Sequence, residues 1–143
     1  MGNATNAHIV QLRSDTTLVD DLVNMTVSMT VGAEATNAII VAVAVLSGHT
    51  GTAFSSAIAL PFYLSSDSAG QVLEAGTDAA ITAGTDGLVI LNGGDSSVAG
   101  TLITETTGEM DLTITDTGAD TYYVNVILPN GKVQTSGVVT FAA

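Results

Sequence analysis

Apolar residues fall along this chain in short segments with a period of two. From Asn24 to Val31, Met25, Val27, Met29 and Val31 alternate with Asn24, Thr26, Ser28 and Thr30. Successive strand side chains point to opposite faces, so this spacing predicts a strand with one apolar face. Upstream, His8–Arg13 predicts a second short strand. Ser14-Asp15-Thr16-Thr17, followed by Leu18, Leu22 and Met25 at helical spacing, predicts a short helix between them. Ile39–Leu46 is an unbroken apolar run of the kind that a buried strand carries. Beyond it, short strands follow at Thr52–Leu60, Phe62–Ser65, Leu88–Leu91, Val98–Glu105, Met110–Thr115 and Thr121–Leu128. Between them stand turn sequences: Ser47–Gly51, Ser66–Gly70, the tetrapeptide Ala-Gly-Thr-Asp at both 75–78 and 83–86, and Asn92–Asp95. Pro61 removes a backbone donor, which suits an edge or a bend.

The last pair of strands predicts a hairpin. Asn130-Gly131 separates Thr121–Leu128 from Lys132–Phe141, and Asn-Gly accepts the positive φ that a two-residue type I′ turn demands at both positions. Tyr122, Val124, Val126 and Leu128 then share one face of the first strand. Val133, Thr135, Gly137, Val139 and Phe141 share one face of the second.

Many short strands with glycine-rich turns predict an all-β antiparallel sandwich. The chain has 143 residues, of which 46% are hydrophobic but only 4% aromatic. Its apolar mass is therefore aliphatic, and the abundant Val, Ile and Thr favour strands. Residues 38–143 are expected to form the sandwich. Residues 1–37, with less turn punctuation, are expected to form an N-terminal arm or extension. An arm alone would struggle to bury the face of Met25, Val27, Met29 and Val31. Together with Arg13, one of only two cations, these residues are the expected interface with a partner. The competing expectation makes the same stretch a first β-layer of the domain.

Charge narrows the function. Fourteen carboxylates oppose Arg13 and Lys132, for a net charge of −12. Nucleic-acid binding needs Lys and Arg against phosphate, so it is not expected, and neither is an anionic membrane surface. The longest apolar run is too short to cross a bilayer, and Met1–Ala7 lacks the features of a secretion signal. Without cysteine there is no disulfide, thiolate metal site or thiol nucleophile.

Candidate chemistry is sparse. His8 and His49 are far apart and read as surface or turn residues, and no Gly-x-Ser-x-Gly elbow occurs. Asp67, Asp78, Asp86 and Asp95 lie in turn sequences, where aspartate bonds its own backbone. The spacing of a calcium loop is absent. No catalytic residue, cofactor or metal is expected.

Asp116-Thr117-Gly118-Ala119-Asp120-Thr121-Tyr122-Tyr123-Val124 resembles the corner before strand F of immunoglobulin-like domains. That resemblance makes Tyr122 the structural corner tyrosine, its hydroxyl bonded to backbone just upstream. Val124 stands where antibody domains have cysteine, and Phe62 or Leu64 replaces the core tryptophan of strand C. Ile39–Leu46 corresponds to strand B and Met110–Thr115 to strand E. More narrowly, Leu60–Asp67, Gly108–Ile114 and Tyr122–Lys132 are together similar to the small immunoglobulin-like virion proteins of tailed bacteriophages, some of which decorate or cement capsids. The resemblance implies a non-enzymatic structural protein on the capsid surface, made in the host cytoplasm. Its implied partners are the major capsid protein and further copies of itself. A tail or fibre module, or a bacterial surface adhesion or carbohydrate-binding module, are the alternatives.

Overall fold

A computed structural model describes residues 21–75, 79–94 and 98–142. Ten strands follow one another: β1 (Thr26–Val31), β2 (Ala38–Leu46), β3 (Ala59–Ser65), β4 (Ala80–Ala83), β5 (Leu88–Leu91), β6 (Ala99–Ile103), β7 (Glu109–Thr115), β8 (Thr121–Ile127), β9 (Val133–Thr135) and β10 (Val139–Thr140). They form two antiparallel sheets. The first runs β1-β2-β7-β4; the second runs β10-β8-β3-β6-β5, with β9 also paired to β8. The chain is an immunoglobulin-like antiparallel β-sandwich. Strands β2 and β7 pair in one sheet while β3 and β8 pair in the other, the arrangement expected of strands B and E against C and F.

The alternation of the sequence builds the core. Ile39, Val41, Val43 and Val45 point inward from β2, Leu60, Phe62 and Leu64 from β3, Met110, Leu112 and Ile114 from β7, and Tyr122, Val124 and Val126 from β8; all are buried. The outward positions of β2 are mostly alanine, and only Ile40 is a large exposed side chain there.

Three expectations need correction. First, the boundary at residue 37 is not a structural one among the described residues. β1 pairs with β2 over its whole length, from Thr26↔Leu46 to Val31↔Val41. Met25 and Val27 are fully buried, and Met29 and Val31 pack against the same core. The apolar face assigned to a partner is covered by the second sheet of its own domain. Arg13, His8, the strand at His8–Arg13 and the Ser14–Thr17 helix start lie outside the described residues; Asp21–Val23 is helical.

Second, the Asn130-Gly131 turn is not type I′. Gly131 has φ of 80°, but Asn130 is not among the residues with positive φ. Gly131 N–H bonds Leu128 C=O at 2.9 Å, and Leu128 N–H bonds Lys132 C=O at 2.8 Å. Pro129 holds φ near −65° at the first turn position, and with Asn130 outside positive φ this fits a type I turn followed by a left-handed glycine. Third, Lys132–Phe141 is not one strand. The pairings Thr135↔Asn125 and Val139↔Tyr122 set four residues of one strand against three of the other. This bulge switches sides: Val139 and Phe141 are buried, whereas Val133 is 46% exposed.

Candidate functional site

Tyr122 is buried beside Phe141, their ring centroids 6.2 Å apart in an edge-to-face arrangement. Its hydroxyl donates to Oδ2 of buried Asp116, six residues upstream, while Asp116 Oδ1 accepts the Gly118 N–H at 2.7 Å. Tyr122 is buried, as a corner tyrosine is expected to be, and its hydroxyl ties to a carboxylate side chain six residues upstream. An aspartate that also caps the turn at Gly118 offers the stronger, charged acceptor.

The polar residues that invite a catalytic reading serve turns instead. Ser47 Oγ donates to Asp21 Oδ1 and accepts the backbone N–H groups of His49 and Thr50, each at 3.1 Å. His49 takes part through its main chain and is exposed. Asp67 accepts the N–H groups of Gln71 at 3.0 Å and Val72 at 2.8 Å on Oδ1, and that of Ala69 at 3.2 Å on Oδ2. Among the described residues no group of three or more His, Asp or Glu side chains is placed to hold a metal ion, and no helix is long and apolar enough to cross a membrane. Asp78 and Asp95 lie outside the described residues.

The loop that Asp67 organises folds over the outer face of the second sheet. Tyr63 hydroxyl donates to Gly70 C=O at 2.6 Å. Asn125, fully buried although it faces outward, donates to Ser65 Oγ at 2.7 Å and accepts from Thr135 Oγ1 at 2.7 Å. Gly70, at φ 67°, lies so close that a Cβ there would sit 2.3 Å from Asn125 Oδ1. This clamp holds Val72 and Leu73 more than half exposed.

The two long sides of the sandwich differ. On the β1 side the sheets are stitched together. Val27 N–H donates to Gln134 Oε1 at 2.9 Å, Ala142 N–H to Glu34 Oε2 at 2.9 Å, and Gly137 packs beside Val31. On the other side β4 ends the first sheet and β5 ends the second, and a cleft of about 410 Å³ opens between them. Leu88 and Ile90 point outward from β5, each 53% exposed, while Val89 and Leu91 point inward yet stay only half-buried. The turn between these strands carries Asp86, which with Glu109 and Asp111 lines a separate depression of about 230 Å³ shared with Ala42 and Ala44 of β2. Sequence reasoning saw only a short strand at Leu88–Leu91. Its signal was four consecutive apolar residues, with no polar position for a solvent face.

A scan against models of known protein families matches none, and no curated protein matches the chain. Among solved structures, the GAE domain of GGA2p from Saccharomyces cerevisiae is similar at 14% identity and a TM-score of 0.26, over 85% of this chain and 91% of that one.

Proposed function

We propose that this chain is a non-enzymatic virion structural protein, a decoration or cement protein that binds the outer lattice of a bacteriophage capsid. The sequence resemblance supplies the class. The structural observation that supports it is the display of large apolar side chains on a firmly bonded frame: Leu88 and Ile90 on an edge strand, Val72 and Leu73 on the clamped loop. Apolar side chains fixed in this way give binding area without the entropy of ordering a loop on contact. The protein acts by adding buried surface to a shell, and a stable contact of this kind buries at least about 1,000 Å². The test is sedimentation of the purified chain with capsids that lack it. Saturable binding at a fixed ratio to the capsid subunits is expected. A chain that stays in the supernatant with intact capsids overturns the reading.

A further inference from the structure

We infer that the open corner between β4 and β5 is a strand-addition site for an extended segment of a partner protein. The segment is apolar at alternate positions and basic at the end that reaches Asp86.

The register fixes which backbone groups are on offer. Asn92 N–H bonds Ala99 C=O, and the pairing continues through Ile90↔Thr101 and Leu88↔Ile103. Antiparallel ladders alternate bonded and non-bonded pairs. Leu88 and Ile90 therefore turn their N–H and C=O toward β6, and Val89 and Leu91 turn theirs toward the cleft. β5 hydrogen-bonds to β6 alone among the described strands. Its four residues contain none of the Lys, Pro or inward charges by which edge strands are ordinarily blunted.

The side chains ask for the same occupant. Val89 and Leu91 face inward toward Ile81 but stay only half-buried, and among the described residues no strand lies beyond β5. An added strand would set its inward side chains over this gap and its outward ones beside Leu88 and Ile90. Charge then selects the partner. A second copy brings its own net charge of −12, which repels this one. Asp86 stands two residues before Leu88 and shares a separate depression with Glu109 and Asp111, and no cation lies among the residues lining either depression. A strand antiparallel to β5 reaches the Leu88 end with its C-terminus, so Lys or Arg should follow the apolar residues.

The inference rests on the proposed attachment only for the source of the segment. The probe is a nine-residue peptide alternating Val and Thr and ending in two lysines, added to the full chain. Binding should slow amide exchange at Val89 and Leu91 while leaving the already bonded Leu88 and Ile90 unchanged. N-methylation of the peptide on its pairing edge should weaken binding at least ~10-fold, since it removes the main-chain bonds. The variant Leu88→Thr/Ile90→Thr keeps strand propensity at exposed positions and should also lose at least ~10-fold. Asp86→Asn/Glu109→Gln should flatten the salt dependence. An N-methylated peptide that binds equally well, or protection that appears elsewhere, overturns the inference. So does a concentration-dependent dimer that protects Val89 and Leu91 without peptide, because the occupant would then be a second copy. Peptide binding without capsid sedimentation sustains the corner and counts against the capsid reading alone.

Discussion

Replacing Tyr122 with phenylalanine removes one oxygen and nothing else. The ring keeps its place against Phe141, so no cavity opens. What is lost is the hydroxyl bond to Asp116, which leaves a buried carboxylate with the Gly118 N–H as its remaining partner shown. A hydrogen bond to a charged group contributes about 1.5–3 kcal/mol, against about 0.5–1.5 for a neutral one. For a domain of this size each kcal/mol moves the midpoint by about 4 °C, so Tyr122→Phe should lower Tm by about 6–12 °C. Tyr63→Phe is the internal control. That hydroxyl donates to the neutral carbonyl of Gly70 on a half-buried side chain, and its loss should cost about 2–6 °C. Calorimetry on both variants decides the matter. A Tyr122 variant no less stable than the Tyr63 variant would refute the carboxylate tie. A double-mutant cycle with Asp116→Asn should return a coupling of about 1 kcal/mol or more between the two side chains.

Two further substitutions probe the frame. Thr36 and Asn37 both hold positive φ, 53° and 61°, in the turn between β1 and β2; a β-branched residue is strained there, so Thr36→Asn should raise stability by about 0.5–1 kcal/mol in chemical denaturation. Deleting residues 1–37 removes β1 along with Met25 and Val27 from the core, so the truncated chain should show no cooperative melt, and one that melts like the parent would restore the arm.

The facing of a strand was legible where apolar and polar positions alternate without a bulge, because a period of two depends on neighbours alone. Tyr122, Val124 and Val126 are buried as their alternation says, whereas the unbroken apolar run Ile39–Leu46 marked a buried strand without marking which of its faces points inward. What covers a face is not local information. The alternation of Met25 to Val31 says that a cover exists, and only the sheet order reveals that the second sheet provides it. Turn chemistry misled where a stronger constraint stood beside it: Asn130-Gly131 favours type I′, but Pro129 sets φ at the first turn position. The bulge near Ser136 was invisible because Ser136 Oγ accepts the Val124 N–H at 2.9 Å in place of a main-chain carbonyl, which no pattern of apolar residues records. Asn125 was unreadable for a related reason. An outward asparagine reads as solvated until a loop from another part of the chain is seen to close over it.

The two long sides of the sandwich also differ in what they offer an approaching strand. Where the sheets are stitched, side chains take up the spare groups of the edge: Gln134 accepts the Val27 N–H, and Glu34 accepts that of Ala142. At the β4–β5 corner the turn carries Asp86 but the strand itself carries no charge, so the edge is uncharged while its end is acidic. Two copies bring together net charges of −12 each, which keep them apart wherever surface carboxylates come within the screening length of about 8 Å at physiological salt. A partner strand ending in Lys or Arg meets the same uncharged edge with attraction at its tip. The apolar residues make strand addition favourable for any extended segment, and the carboxylates at one end decide which segment is admitted and in which direction it runs.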